Sequence, residues 1–235
     1  MIKKISTIAV ATFLFAVQAN ATTTLRLDGY SSPLQTVNIE SSPVSGTPSR
    51  VGAAGFSVTD MSGRLGSFTA WCLDVGHRLM RVGQSQDYNV TTNPFSNSSG
   101  LSLTARKRVQ SVFDANYAFI DIANGDQAAG FQMALWEAAF EDDKKPLNMR
   151  WGLFRASSSG STSLANQYLD NGINYTGNKR WNLKFLEVAD FDANRSYDTG
   201  QNLVTVSPVP LTAAGFFLLT ALAGTGLVAR RRRKA

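Results

Sequence analysis

The last 25 residues constrain this chain more than any other part of it. Residues 211–229 form an uncharged, mostly apolar run of 19 residues, and five cations follow it directly, at Arg230, Arg231, Arg232, Arg233 and Lys234. At 1.5 Å per residue such a run makes a helix about 28 Å long, close to the thickness of a bilayer's hydrocarbon core. A block of cations after an apolar run stops transfer and stays on the cytoplasmic side. The sequence therefore predicts a transmembrane helix over 211–229 and a basic tail over 230–234.

The first 21 residues carry a matching pattern. Lys3 and Lys4 precede the apolar run 5–17, and Ala19-Asn20-Ala21 follows as a small-x-small cleavage site. This arrangement is typical of a secretory signal peptide. We expect the signal to cover 1–21 and the region 22–207 to form one extracytoplasmic domain, which is long enough for a substantial core.

The net charge of +6 does not indicate a nucleic-acid partner. Of the 23 basic residues, two lie in the expected signal and five in the expected tail, which leaves 16 against 17 acidic residues in between. The domain itself therefore has a charge near zero, and it lacks the basic surface that nucleic-acid binding needs.

Residues 208–235 also carry a short motif. Val209 and Pro210 precede the apolar run, which begins with Leu211, Thr212 and Ala213. Together with the basic end, this segment resembles the VPLPA variant of the PEP-CTERM sorting signal of Gram-negative bacteria, with Thr212 in place of the second proline. The resemblance implies an exosortase-type sorting enzyme as a partner. It also implies a protein exported across the inner membrane, which is either anchored by the C-terminal helix or released to the surface after processing. An ordinary single-span anchor is the alternative.

The domain reads as an α+β fold, a strand-rich domain with a two-helix insert. Alternating apolar residues predict strands within 22–70 and two more strands over 181–188 and 203–206. We expect the polar stretch 84–100 to be a loop and the region 151–206 to be mostly extended. Helical spacing predicts one helix over about 102–120 and a second over about 127–141, with Ser102 or Thr104 capping the first and Asp126 the second. Gln132 lies among apolar residues of the second helix, where an unpaired amide would cost about 1–3 kcal/mol.

The domain has one cysteine, Cys72, within Trp71-Cys72-Leu73-Asp74. A lone cysteine in an exported protein has no partner for an internal disulfide. It is therefore a buried small hydrophobic residue, an intermolecular link or a reactive group, and the first is the ordinary case.

The motif around Cys72, followed by Gly130-Phe131-Gln132-Met133-Ala134-Leu135-Trp136-Glu137, resembles the thioester domain of bacterial surface proteins. The similarity lies within residues 68–143. In that family a cysteine thiol attacks a glutamine carboxamide, expels ammonia and leaves an internal thioester. By motif position the resemblance implies Cys72 as the thiol and Gln132 as the acyl donor.

The thioester hypothesis also assigns roles to other residues near the two motifs. A thioester needs shielding from water, for which the adjacent aromatic residues are candidates, and its formation moves protons, for which the nearby polar groups are candidates. The shielding candidates are Trp71, Phe131 and Trp136, and the proton-transfer candidates are Asp74, His77 and Glu137. The same pattern is also compatible with simple packing in a relative that never forms the bond.

Three functions follow, in order of preference. The first is an exported adhesin that attaches covalently through Cys72 and Gln132 to an amine or hydroxyl on a partner. The second is a non-covalent structural or carbohydrate-binding protein of a biofilm's exopolysaccharide matrix, for which Trp151, Tyr168 and Trp181 are exposed-aromatic candidates. A secreted hydrolase comes last, because the chain has a single histidine and no nucleophile-elbow motif. We expect no enzyme activity, no cofactor and no metal site, since histidine and cysteine ligands are too few.

Overall fold

A computed structural model describes residues 21–98, 100–190 and 200–209. Within these ranges the chain forms nine strands and three helices. The strands are β1 Ala21–Tyr30, β2 Gln35–Ser41, β3 Arg50–Ala53, β4 Phe56–Asp60, β5 Ser67–Cys72, β6 Ser85–Thr91, β7 Arg155–Ser157, β8 Trp181–Val188 and β9 Leu203–Pro208. The helices are α1 Leu103–Asn116, α2 Gly125–Phe140 and α3 Ser161–Ile173.

Six strands close into an antiparallel barrel in the order β1-β4-β5-β9-β8-β6. A smaller sheet, β3-β2-β7, lies beside it. Alternation in β1 explains its place, because Leu25 and Leu27 are fully buried while Arg26 between them is partly exposed. The prediction of a strand-rich domain with inserted helices is confirmed at this level.

The three helices pack against one another, and α2 also contacts β2, β3 and β5. Helix α1 begins as predicted, because the Ser102 side chain accepts a hydrogen bond from the Ala105 N–H. Helix α2 is capped by Asn124, which accepts from the Gln127 N–H, so the prediction of Asp126 as its cap is wrong. Asp126 lies in the first turn, where its charge still favours the helix.

Three further local predictions are wrong. Helix α3 occupies part of 151–206, which we expected to be extended, and it places Tyr168 in the core with 8% exposure rather than on the surface. Its Ser- and Gly-rich beginning hides the helical spacing of the apolar residues that follow. Strand β6 occupies part of 84–100, which we expected to be a loop, and its polar residues pair with β1 and β8 on both sides.

The core is one continuous cluster that spans the barrel and the helices. Its centre is aromatic. The Phe131 ring on α2 makes edge contacts with Trp71 on β5 and Phe113 on α1, at centroid distances of 4.9 and 5.1 Å. Such contacts stabilise a core beyond the area that they bury. They tie α1 and α2 to the barrel beside Cys72.

The predicted signal peptide over 1–21 lies almost wholly outside the described residues, and the transmembrane helix over 211–229 and the basic tail lie wholly outside them. None of the helices in the described part of the chain has the length and apolar character that a membrane span requires.

Gly130 tests how tightly α2 and α3 are packed. A Cβ there would lie 2.9 Å from the Leu164 Cβ and 3.1 Å from the Ser161 carbonyl oxygen, so α3 would have to move. Helix propensity alone favours Gly130→Ala by about 1 kcal/mol, whereas overpacking costs about 1–3 kcal/mol. We expect a net loss of up to about 2 kcal/mol in the free energy of unfolding, measured by urea denaturation. Gly29→Ala is the control, because its Cβ would meet nothing within 4 Å; a Gly130→Ala protein as stable as this control would contradict the packing.

Candidate functional site

Cys72 is the last residue of β5, at a place where the barrel ladder is incomplete. On one side β5 pairs with β9, with Cys72 opposite Leu203. On the other side the pairing with β4 ends at Phe56 opposite Ala70. The backbone N–H and C=O of Cys72 that face this second side therefore have no strand partner.

The side chain of Gln132 occupies the vacant position. The Cys72 N–H donates to Gln132 Oε1 at 2.9 Å, and Gln132 Nε2 donates to the Cys72 carbonyl oxygen at 2.7 Å. The carboxamide thus pairs with one residue's backbone as a neighbouring strand would. Gln132 is fully buried and Cys72 is 1% exposed, so each group satisfies the other where water cannot. The two residues that the sequence pattern singled out, 60 positions apart in sequence, are in direct contact.

The Cys72 thiol is held in its neutral form. Sγ donates to the Asp74 carbonyl oxygen at 2.7 Å, and the Asp74 N–H donates back to Sγ at 3.3 Å. Burial raises the pKa of this thiol well above its usual value, and the Asp74 carboxylate raises it further. The Asp74 N–H and the Trp136 indole, which faces the sulfur, offset only part of that rise in pKa. At neutral pH the group is therefore a thiol, and a nucleophilic thiolate needs a base.

Asp74 and His77 form a pair beside the thiol. Asp74 Oδ2 lies 2.6 Å from His77 Nδ1, and Oδ1 accepts from the Gly76 N–H at 3.0 Å. A carboxylate only accepts hydrogen bonds, so Nδ1 carries the proton of this bond. Two of the three proton-transfer candidates are thus next to Cys72.

The predicted aromatic shield is assembled from both motifs. Trp71 and Phe131 are the chain neighbours of Cys72 and Gln132, and their ring contact runs beside the hydrogen-bonded pair. Trp136, one helical turn after Gln132, is 2% exposed and lines the same cleft as Cys72. All three are buried, and they surround the pair with apolar surface.

A cleft of about 410 Å³ reaches this site from the surface. Cys72, Val75, Trp136 and Gln201 are among the residues that line it, together with His77. The residues that carry the thiol, the indole and the imidazole therefore line one cleft, although His77 Nε2 and Trp136 Nε1 are themselves buried.

No protein-family model and no curated protein matches this chain. Among solved structures, the N-terminal domain of the Streptococcus pyogenes pilus tip adhesin Cpa is similar, with 13% identity, a TM-score of 0.40, and coverage of 78% of this chain and 98% of that one. The N-terminal thioester domain of fibronectin-binding protein SfbI from Streptococcus pyogenes has 15% identity, a TM-score of 0.44, and coverage of 77% and 95%. The Bacillus anthracis TIE protein has 10% identity, a TM-score of 0.33, and coverage of 74% and 39%. Each TM-score lies below 0.5, so no residue role or binding partner is transferred from these proteins to this chain.

The third proton-transfer candidate, Glu137, lies elsewhere. It is fully buried, and its Oε1 accepts from the Asn148 N–H at 2.7 Å. Its Oε2 has no hydrogen-bond partner among the described residues. Burial raises the pKa of Glu137 to about 8, with Glu141 raising it and the Asn148 N–H and Arg108 lowering it. These partners lie on the side of α2 that faces away from Gln132. Glu137 therefore affects the stability of the fold rather than the Cys72–Gln132 contact.

Sequence reasoning missed two residues of the site. Tyr88 is fully buried, and its hydroxyl donates to the Gln201 carbonyl oxygen at 3.1 Å. Its pKa is raised first by burial and then by the nearby Cys72 and Asp74, whose ionised forms disfavour a phenolate. The Gln201 side chain donates to the Asp74 carbonyl oxygen. Neither residue lies in a recognisable motif, and the order of the barrel strands alone brings them to Cys72. Within the described ranges, no group of three or more His, Cys, Asp and Glu side chains could hold a metal.

Glu137 makes the stability of the domain depend on pH. Its carboxyl binds a proton more tightly in the folded than in the unfolded state, so the unfolding free energy falls as the pH rises from about 4.5 to about 8. We expect this group to contribute a slope of about 1.4 kcal/mol per pH unit in that window. Urea denaturation across the window should show a flatter profile for Glu137→Gln than for the exposed control Glu40→Gln. Identical slopes for the two variants would contradict the raised pKa.

Proposed function

We propose that residues 22–207 form the adhesive domain of an exported surface protein that captures its partner through an internal thioester between Cys72 and Gln132. The observation that carries the proposal is the pair of hydrogen bonds between the Gln132 carboxamide and the backbone of Cys72. They hold an acyl donor against the thiol's own residue in a buried, aromatic environment. Holding two reactive groups in contact removes much of the entropy cost of forming a bond between them.

The bond forms by an exchange that balances within the two side chains. The sulfur attacks the Gln132 side-chain carbonyl carbon, the new C–S bond replaces the C–N bond, and the thiol proton leaves with the amide nitrogen as ammonia. The Cys72 N–H already donates to Oε1, where negative charge develops during the attack. The thiol has to turn away from the Asp74 carbonyl oxygen for this step, and His77 is the nearby base.

Capture follows because a thioester is an activated acyl group. An amine or a hydroxyl that reaches the carbonyl carbon displaces the thiol and becomes bonded to Gln132. The cleft lined by Cys72 and Trp136 supports this step, since it gives a partner a route to an otherwise buried bond.

The location of the protein is proposed from its termini. The signal pattern over 1–21 and the sorting pattern over 208–235 favour export and processing by an exosortase-type enzyme. In this proposal the domain is held by the helix over 211–229, or reaches the cell surface after the tail is processed.

A non-covalent matrix protein is the second candidate, and two observations favour it. The Gln132 amide is already satisfied by Cys72, and the raised pKa of the thiol slows its attack. In addition, the indole of Trp151 is 72% exposed, as expected for an aromatic side chain that stacks on a ligand. In this second function the side chains of Cys72 and Gln132 only pack and pair in the core.

Intact mass of the purified protein separates these functions. We expect a mass lower by one ammonia than the sequence gives, and the uptake of one methylamine when methylamine is added. Cys72→Ala and Gln132→Ala should abolish both effects, because each removes one partner of the bond. Gln127→Ala, a change in the first turn of the same helix, should retain both. A protein of full mass that takes up no methylamine would exclude the thioester.

A further inference from the structure

Trp136 carries a buried hydrogen-bond donor that the resting structure leaves unused. The residue is 2% exposed, and its indole N–H makes no hydrogen bond with any of the described residues. An unpaired donor in the core costs free energy that a phenylalanine in the same place would not incur. The indole at this position therefore indicates an acceptor that becomes available only during a reaction.

The Cys72 sulfur is the acceptor that this position offers. Trp136 lies one helical turn after Gln132 on α2, and Gln132 is hydrogen-bonded to the backbone of Cys72. Trp136 and Cys72 also line the same cleft. Burial and then the Asp74 carboxylate raise the pKa of the thiol, whereas the Asp74 N–H and the Trp136 indole lower it, as expected for an indole that faces the sulfur.

A neutral thiol is a poor partner for this N–H, and a thiolate is a good one. Thiol sulfur is a weak acceptor, and the Cys72 sulfur already receives the Asp74 N–H at 3.3 Å. Hydrogen bonds to ionised groups are about twice as strong as those between neutral groups. A thiolate at this place is 1% exposed and lies beside the Asp74 carboxylate, so it has a strong need for a further donor.

We propose that the indole N–H of Trp136 donates to the Cys72 sulfur while that sulfur carries negative charge, both when the thioester forms and when it opens. This inference rests on the proposed thioester and adds a catalytic residue to it, because the indole contacts a reacting atom. A contact that is made in the transition state and not in the resting state accelerates the step. The Cys72 N–H has the corresponding role at Gln132 Oε1, the other atom on which charge develops.

The opening step balances without any further reactant. An amine attacks the acyl carbon of residue 132, the new C–N bond replaces the C–S bond, and the electron pair of the broken bond stays on the sulfur. The Trp136 N–H donates a hydrogen bond to this thiolate and keeps its proton. The proton that the attacking amine loses then neutralises the sulfur, which restores the Cys72 thiol.

Benzothienylalanine in place of Trp136 tests the donor alone. This analogue has the shape of tryptophan but a sulfur atom where the indole has its N–H, so the packing is retained and the hydrogen bond is lost. We expect methylamine uptake, followed by intact mass, to become about tenfold slower at neutral pH. An analogue protein that keeps its urea unfolding transition but never loses ammonia would support the same donor at the closing step. Closure and uptake at the wild-type rate would overturn the inference.

Trp71→Phe and Trp136→Phe form a matched pair that separates the donor from packing. Trp71 is also buried, it precedes Cys72 in the chain, and its indole N–H also makes no hydrogen bond with the described residues. Its ring lies against Tyr117, at a centroid distance of 6.2 Å, and it does not line the cleft. We expect Trp136→Phe to slow methylamine uptake about tenfold and Trp71→Phe not to slow it. Equal slowing in both variants would overturn the role of the Trp136 N–H, because lost packing would then explain it.

The thiol itself gives a readout that lost packing does not reproduce. In Gln132→Ala the sulfur stays a free thiol, and the pH dependence of its alkylation by iodoacetamide reports the pKa of Cys72. We expect benzothienylalanine at position 136 to move this profile to higher pH, because the thiolate loses a donor, and Trp71→Phe to leave it in place. An unchanged profile with the analogue would overturn the inference even if methylamine uptake became slower.

The mass of the wild-type protein distinguishes failure of this inference from failure of the proposed function. A wild-type protein that lacks one ammonia and reacts no faster than the analogue protein retains the thioester and excludes the donor. A wild-type protein of full mass that takes up no methylamine excludes the thioester, and the role of Trp136 in it is excluded as well.

Discussion

The contact between the Gln132 carboxamide and the backbone of Cys72 organises the domain around it. Strand β4 is too short to cover the end of β5, so one N–H and one C=O of the barrel would be buried without partners. A side-chain amide is the one neutral group that can both donate and accept in the geometry of a missing strand. A helix must therefore cross the barrel at this level, and α2 does so with the Trp71–Phe131 ring contact beside the amide.

This arrangement stabilises the resting site and also limits its reactivity. Each buried polar group that the pair satisfies would otherwise cost about 1–3 kcal/mol, so glutamine is favoured at position 132 even without any reaction. Burial also keeps the thiol protonated, which protects it from oxidation and makes it a poorer nucleophile for the reaction proposed above. The cleft lined by Cys72, Trp136 and His77 gives the proposed thioester a route to the surface, while Gln132 itself is fully buried. In the proposed function, the two side chains that satisfy the buried backbone are also the two that react.

The sequence predicted the parts of the fold that repeat a short period. Alternation located β1, and helical spacing located α1 and α2 together with the burial of Gln132. Helix α3 and strand β6 were not predicted, because their composition is polar and they are buried by residues distant in sequence. The Cys72–Gln132 contact was predictable from two motifs. Its pair of side-chain-to-backbone hydrogen bonds was not, because they depend on where the pairing of β4 with β5 ends. Tyr88 and Gln201 had no signal at all, since only strand order brings them to the site.

Glu137 shows why neighbours in sequence are not neighbours in a helical site. It follows Trp136, yet it lies five positions after Gln132, which places it about 140° around the helix. Glu137 and Glu141 form a row of their own, accepting from the N–H groups of Asn148 and Leu153. Helix α2 is therefore fixed on one side by Gln132 against β5 and on the opposite side by two buried glutamate side chains against the loop between α2 and β7. The position of the Gln132 carboxamide against Cys72 therefore depends on both attachments, one of which is distant from the pair.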